Sequence, residues 1–493
     1  MHYGQYHEEI MKVIGREKEK VLLKQITSSK NAEFVAIYGR RRVGKTYLIQ
    51  QCLSKKGVYL ECTGLKDGNL HDQLTNFIKS FQEAFYPNLS LKTPKSWNAA
   101  FELLTREIKS LAQTKKIIIF LDEIPWLATK KSRLLQNLDY FWNTQWSKIP
   151  SLKLIVCGSA ASWMLNKLIN ATGGLYNRLT KTILLEPFTL GETKQYLNNL
   201  GMSLTEKQVL DLYMVFGGIP YYLNHIHRSK SVAQNINDIC FKKTGLLFSE
   251  FPRLFKSLFD AADVNLMIVK ALAKYRYGIS FKELIKKIGK TAGGRCSERL
   301  AELEAAGFVQ RFLPYGRKRR DHYYKIADEY TMFYLKWISE VVDGKEIPKS
   351  SNYWIQISNT QAWQSWAGYA FEGICQKHAD KIVSKLGLSS IGCFIGNWRC
   401  VTDPKSKDFG AQVDLLFDRQ DDAITMCEIK YAAKLFSLDK TGAKKLINKL
   451  EVFQKQTKTR KQLFLVMLTT LGLKRNIWSE DLIDADIKLQ DLF

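Results

Sequence analysis

Apolar residues recur along this chain in two rhythms. Short unbroken runs predict β-strands buried on both faces, as at the centre of a parallel sheet. They lie at Glu33–Tyr38 and at 58–62, 116–121 and 153–158. Between them, apolar positions spaced three and four apart predict helices at 69–86, 96–112 and 133–147, and a further helix opens across 14–23. Strand–helix alternation from Thr46 to about Glu192 predicts a three-layer αβα domain. Residues 193–260 then read as helical, broken by Gly217-Gly218-Ile219-Pro220. A third rhythm follows. Three short helices, Val264 to Lys274, Phe281 to Ile288 and Gly294 to Ala306, precede two strands, Phe308–Phe312 and Tyr323–Ile326, around a glycine turn. Three helices and a hairpin predict a winged helix. A polar stretch from Val341 to Ser351 reads as a linker, and two more strand-like runs, Gln412–Phe417 and Ala423–Tyr431, lie beyond it. The expected domains are therefore 1–192, 193–260, 261–340 and 350–493.

The first strand empties into Gly39-Arg40-Arg41-Arg42-Val43-Gly44-Lys45-Thr46, which has the spacing G-x-x-x-x-G-K-T. Two glycines let the loop turn tightly, so that its backbone N–H groups can cradle phosphate oxygens. Lys45 is placed to reach the outer phosphates, and Thr46 offers a hydroxyl to Mg²⁺. The strand 116–121 ends in Asp122-Glu123. Asp122 suits a Mg²⁺ ligand, and Glu123 suits the base that activates an attacking water. ATP and Mg²⁺ are the expected cofactors, and hydrolysis the expected reaction.

The C-terminal runs carry a second set of charges. Strand alternation puts Glu428 and Lys430 on one face, with Asp414 on the neighbouring strand. Two carboxylates and a lysine suit a hard-oxygen Mg²⁺ site for phosphodiester cleavage, with Asp414 and Glu428 as ligands. Glu372, in a helix Trp363–Asp380, is a candidate further acid. Lys434, Lys440, Lys444, Lys445 and Lys449 form a basic region suited to a polyanion. An E-x-K on a strand also fits a surface ion pair on a hairpin.

Charge strengthens the polyanion reading. Seventy-four Lys and Arg against 48 Asp and Glu leave a formal +26, which points to nucleic acid, DNA foremost. The turn Arg317-Lys318-Arg319-Arg320, with Arg295 and Arg299, could grip phosphates, or could be a solvated face of a packing module. Nine scattered cysteines with no C-x-x-C pair argue against zinc and against a disulfide framework, and fit a reducing cytoplasm. The first nine residues lack the apolar core of a signal peptide, and no stretch suits a membrane span, so no membrane partner is expected.

Taken in order, these motifs resemble the archaeal-type ATPase family, an AAA+-like member of the STAND group that ends in a domain of the PD-(D/E)xK nuclease superfamily. The resemblance makes Ile14-Gly15-Arg16-Glu17 the border of an adenine pocket, Gly39–Thr46 a Walker A loop and Phe120–Glu123 a Walker B strand. It makes Ser159, after Cys157-Gly158, a γ-phosphate sensor, and Arg178, at the end of Gly174-Leu-Tyr-Asn-Arg178, an arginine finger. Gly218-Ile-Pro220 would close the ATPase module, and a helical lid would follow. Asp414, Glu428 and Lys430 match the nuclease core, within a restriction-endonuclease-like α/β domain. Here Ser159 is followed by Ala160-Ala161, and Asn177 precedes Arg178 where a glycine is commoner. A finger acting in trans implies an ATP-dependent homo-oligomer. Two functions stay open: an ATP-driven nuclease acting on nucleic acid, and an ATP-dependent switch whose last domain is a non-catalytic adaptor.

Overall fold

The computed structural model describes residues 13–170, 177–289, 295–318, 320–344, 352–400 and 410–493. The chain divides into two compact units, Met1–Pro187 and Phe188–Phe493. The first is an α/β unit around one parallel sheet. Its strands are β1 (Glu33–Tyr38), β2 (Val58–Thr63), β3 (Ile117–Asp122), β4 (Leu152–Gly158) and β5 (Lys181–Leu184), in the order β2-β3-β4-β1-β5. Every residue of β3 and β4 is buried, as strands at the centre of a parallel sheet are, although β4 carries one cation, Lys153. The helices Leu70–Phe85 and Trp97–Leu111 lie within one residue of their expected bounds, and Leu134–Thr144 ends three residues before its expected end.

Local chemistry explains those bounds. Asn69 and Asp72 form a reciprocal capping box that starts the first of these helices. Its residues Leu74, Phe77, Ile78 and Phe81 recur at helical spacing and are buried. With Trp97, Phe101, Phe141 and Trp146 they build an aromatic core, in which Phe77 meets Trp97 edge-on at 5.5 Å and Phe101 meets Trp146 at 5.2 Å. Lys153 is a buried cation in β4. Its ammonium donates to the carbonyls of Ser29, Asn31 and Pro150, tying the loop before β1 to the one before β4.

The second unit opens with helices Leu190–Asn199, Glu206–Phe216, Val232–Cys240 and Glu250–Leu258. The first three start at the capping pairs Thr189/Glu192, Thr205/Gln208 and Ser231/Gln234. Helices Ala262–Leu272, Phe281–Ile288 and Cys296–Ala305 then surround a small antiparallel sheet of order β6-β8-β7: β6 (Ile279–Ser280), β7 (Val309–Phe312) and β8 (Tyr323–Ile326). The strand β6 was not legible, being two residues long. The expected start of the third helix at Gly294 and the base Arg319 lie outside the described residues, as does most of the 341–351 linker.

A mixed sheet of order β15-β13-β11-β10-β9 completes the unit. Its strands are β9 (Cys393–Cys400), β10 (Ala411–Arg419), β11 (Ala423–Lys430), β13 (Gln462–Thr469) and β15 (Ala485–Lys488). A two-residue pair, β12 (Phe436–Ser437) and β14 (Leu473–Lys474), sits beside it. The strands β10 and β11 form the expected hairpin; β13 and β15 add to β11 in parallel. The acid-bearing helix spans Gln361–Lys377 and not Trp363–Asp380, because His378 leaves helical geometry (φ −104°, ψ 27°) and Asp380 starts a new helix. Among the described residues, no helix is long and apolar enough to cross a membrane.

Candidate functional site

In the first unit, the sheet topology gathers the motifs at the carboxyl ends of its strands. The loop Gly39–Thr46 follows β1, Asp122-Glu123 follows β3, and Ser159 follows β4, which runs between the two. Ligands of open α/β sheets bind at this edge. Gly39 takes φ 147°, and a Cβ there would lie 2.2 Å from the Leu185 carbonyl oxygen, so the position demands glycine. Gly44 takes φ 93° and caps the helix Lys45–Leu53 without a side-chain bond, leaving first-turn N–H groups for an anion. The buried Arg16 guanidinium, also left-handed at φ 59°, donates to the Val43 carbonyl at 3.2 Å and supports the loop from below.

Five side chains then interlock. The Lys45 ammonium donates to the carbonyls of Gly39 (3.0 Å) and Arg40 (2.9 Å) and to the Ser159 hydroxyl (3.0 Å). Ser159 in turn donates both its backbone N–H (3.0 Å) and its hydroxyl to the Glu123 carboxylate. The Thr46 hydroxyl donates to Asp122 Oδ2 at 2.7 Å, and Asp122 Oδ1 accepts from the Glu123 N–H at 3.0 Å. A hydroxyl and a carboxylate in contact are hard-oxygen donors of the kind Mg²⁺ takes beside phosphate, so this pair fits the ion. Arg41 lies 6.0 Å from the Trp126 ring, at the rim.

Arg178 is elsewhere. It is exposed, two residues before Thr180, whose N–H bonds the Phe34 carbonyl at the start of β1. Because β5 runs parallel to β1, Arg178 sits at the amino edge of the sheet, opposite the loop. The six residues of β1 separate them by about 20 Å. Within one chain it does not reach the phosphates. Gly174–Tyr176 lie outside the described residues.

In the second unit, Asp414, Glu428 and Lys430 converge as expected, joined by Glu372 from the helix Gln361–Lys377. They line a cavity of about 690 Å³. Lys430 meets Glu428 Oε1 at 2.6 Å, and Lys449 holds Glu428 Oε2. Arg276 meets Glu372 Oε1 at 2.9 Å. Electrostatics separate the three acids. Burial, then the Asp414 charge, pushes Glu372 up to about 8, although Arg276 opposes this. Burial and the Glu428 charge also raise Asp414. Glu428 moves the other way: burial works against its charge, but Lys449 and Lys430 prevail and lower it. Asp414 further accepts from the Gln412 amide at 2.7 Å.

Among the described residues, no group of three or more His, Cys, Asp or Glu side chains is arranged to hold a metal ion. The carboxylates are nonetheless of the right kind. Mg²⁺ commonly takes one or two of them and completes its shell with water and substrate phosphate oxygens. Here cations of the protein already sit on two of the acids.

Sequence reasoning missed Lys449 as part of this cluster and Arg276 altogether. Lys449 was legible in principle. Thr441, Lys444, Lys445, Asn448 and Lys449 recur at helical spacing on the helix Lys440–Thr457, and all five face the cavity. Arg276 has no local signal, since its partner is 96 positions away. The expected phosphate grip of the 317–320 turn and the third helix is also modified. Arg299 is engaged by Glu302 at 2.6 Å, while Arg295, Arg317, Lys318 and Arg320 are exposed. The turn itself is docked: the Tyr315 N–H bonds the Asn397 carbonyl at 2.8 Å and its ring stacks on Phe453 at 5.7 Å.

Residues 14–226 match a family described as "ATPase domain predominantly from Archaea". An uncharacterized protein of Methanocaldococcus jannaschii is 25% identical over 338 residues, which cover 66% of this chain and 68% of the relative. The Walker-type ATPase of Pyrococcus abyssi is similar over 66% of this chain and 96% of its own, at 20% identity and a TM-score of 0.47. The Aeropyrum pernix ORC2 protein, solved in ADPNP–ADP complexes, is similar over 67% and 93%, at 12% identity and a TM-score of 0.40. The matched span, 14–226, contains the loop Gly39–Thr46, Asp122-Glu123 and Ser159.

Proposed function

We propose that the archaeal-type ATPase domain of residues 14–226 binds and hydrolyses ATP with Mg²⁺, and that the chain acts on nucleic acid, DNA foremost, through a nuclease-like C-terminal domain. The observation that carries the ATPase reading is the interlocked set Lys45–Ser159–Glu123 and Thr46–Asp122 at one sheet edge. The loop backbone and Lys45 bind the phosphates, with Arg40 to Val43 shaping the cradle. Thr46 and Asp122 hold Mg²⁺, which supplies charge neutralisation at the outer phosphates. Glu123 accepts a proton from the attacking water, and Ser159 sets the orientation of that carboxylate. Arg178, at the far edge of the sheet, serves in trans from a second copy, so the active form is an assembly. Phosphate release by the purified chain with MgATP tests this. Wild-type turnover no greater than that of Lys45→Ala would refute it.

Residues 193–260 act as a helical lid, residues 261–340 as a winged helix, and 350–493 as a restriction-endonuclease-like domain. Asp414 and Glu428 would hold Mg²⁺ once a lysine yields its place on Glu428; the ion supplies Lewis-acid polarisation of the phosphodiester. Lys430 and Lys449 stabilise charge developing on the phosphate. Incubation of supercoiled, linear and single-stranded DNA and of RNA with Mg²⁺ or Mn²⁺ and ATP tests the claim, with Glu428→Ala as control. Intact substrates throughout, or cleavage that survives Glu428→Ala, would sink it.

A second reading has an observation of its own. Both oxygens of Glu428 carry lysines, a closed arrangement that suits a non-catalytic adaptor driven by ATP. Under that reading DNA stays intact while ATP changes the assembly state.

A further inference from the structure

Next to the carboxylate centre lies a second cavity, of about 310 Å³, between the β6–β8 module and the β9–β10 edge of the large sheet. It is at the lower end of the volumes typical of small-molecule sites, about 300 to 1,000 Å³. Its walls combine two chemistries. Three rings, Tyr277, Phe312 and Tyr369, offer flat apolar faces, and three cations, Arg276, Lys325 and Arg399, surround them. The cations ride on the rings: Arg276 lies 4.8 Å from the Tyr369 centroid, Arg399 4.8 Å from Tyr277, and Lys325 5.3 Å from Phe312.

Charge balance in this cavity is unusual at one residue. The acids Glu329 and Glu372 have cations of their own, Lys377 at 2.5 Å and Arg276 at 2.9 Å. Lys325 is buried, yet its ammonium donates to the neutral Gln376 amide oxygen. Burial, with nearby Lys377, lowers its pKa to about 8. The Glu372 charge opposes this from a distance, but no carboxylate bonds the ammonium directly, and a buried ammonium in that position favours an anion. Gln376 also donates to the Asp414 carbonyl at 2.7 Å, so Lys325 is linked through one side chain to the strand that carries the acid. The two cavities share Tyr277, Glu372, Gln412 and Asp414 in their walls, and therefore adjoin.

We propose that this cavity receives an unpaired nucleotide of a nucleic-acid strand, its base among the rings and its phosphate between Lys325 and Arg399, with the adjoining phosphate at Lys430 and Lys449 of the carboxylate centre. This rests on the reading of that centre as a nucleic-acid phosphate site, and it narrows the substrate to single strands, ends or extruded bases. Aromatic and arginine faces accept any base, so the site selects an unstacked base over a paired one. A duplex interior satisfies it only by extruding a nucleotide, which costs unpairing energy.

The test uses the full chain in EDTA, where binding is separated from cleavage. The probe is an oligonucleotide with 2-aminopurine at one terminal, unpaired position. Wild type should quench the fluorescence on binding. Tyr277→Leu and Lys325→Met should each weaken binding by roughly tenfold, while an interior 2-aminopurine in a blunt duplex, already dimmed by stacking, shows no change on adding protein. Circular dichroism checks that the variants fold, and Arg399→Gln, a milder change, should weaken binding in the same direction. Unchanged affinity in all three folded variants overturns the proposal. So does equal quenching in the duplex interior, or saturation by a free 2-aminopurine nucleotide at the same concentration as the strand. Two readouts separate the two readings: cleavage with Mg²⁺ or Mn²⁺ scores the nuclease, and quenching in EDTA scores the cavity. Quenching that persists in a chain with no cleavage under any condition supports the cavity and rejects the nuclease.

Discussion

Glu123→Gln tests the ATPase centre most sharply, because the exchange keeps shape and removes basicity. In the structure the carboxylate takes two donors from Ser159, the backbone N–H at 3.0 Å and the hydroxyl. A glutamine presents one oxygen and one NH₂ there, so one contact must change sense. The Ser159 hydroxyl can turn to accept, as it already does from Lys45. The expected stability cost is about 1 kcal/mol, a fall in Tm of roughly 2–4 °C for a unit of this size. Glu123 reaches the loop through Ser159, so ATP affinity should move by less than about threefold, under ~0.7 kcal/mol. Turnover should fall much further. Loss of a positioned general base costs roughly 10²- to 10⁴-fold, or about 3–5 kcal/mol of barrier. Phosphate release measured with MgATP, beside anisotropy of a fluorescent nucleotide, separates the two effects. Turnover within threefold of wild type, with binding intact, would remove Glu123 from the reaction.

Lys45→Ala should lose nucleotide binding in the same anisotropy assay, since the side chain that bridges the Gly39 and Arg40 carbonyls to Ser159 is gone; retained affinity would contradict the phosphate role. Arg178→Ala should be inactive alone but regain part of its turnover when mixed with Lys45→Ala, because each copy supplies what the other lacks; no recovery at any mixing ratio argues against action in trans. His378 predicts a pH dependence. It is buried, its Nε2 accepts from the Leu190 N–H at 3.0 Å, and burial lowers its pKa. The native state thus prefers the neutral ring. Its contribution is complete above the unfolded value of about 6.5 and is lost as pH falls below that. Urea midpoints of wild type should drop between pH 7.5 and 5.5 more steeply than those of His378→Gln, and equal slopes would falsify the assignment.

How much of this the sequence carried depends on how local each signal is. The phosphate loop, β3 and the long helices of the first unit are written in contiguous residues: an unbroken apolar run, a glycine pair, a capping box at Asn69. Strand β5 escaped because three of its four residues are exposed, so no apolar run marks it. The pairing of Asp414 with Glu428 was legible from strand alternation around a short turn. The split in their proton affinities was not, since burial raises both and only the charges of Lys449 and Lys430 pull Glu428 down, Lys449 coming from a separate helix. The Lys325–Gln376–Asp414 chain joins three distant segments and leaves no trace in local pattern.

The approach of Gly39 to the Leu185 carbonyl has a mechanical consequence. Leu185 follows β5, and two residues later the chain leaves the first unit at Pro187. Its N–H is pinned to the Tyr38 carbonyl at 2.8 Å, so the exit segment and the root of the phosphate loop form one rigid joint made of main chain alone. The joint admits no side chain at residue 39, where a Cβ would meet the Leu185 oxygen at 2.2 Å, and the Leu185 side chain is itself buried. Any residue other than glycine at 39 therefore displaces the Leu185 peptide together with the root of the phosphate loop.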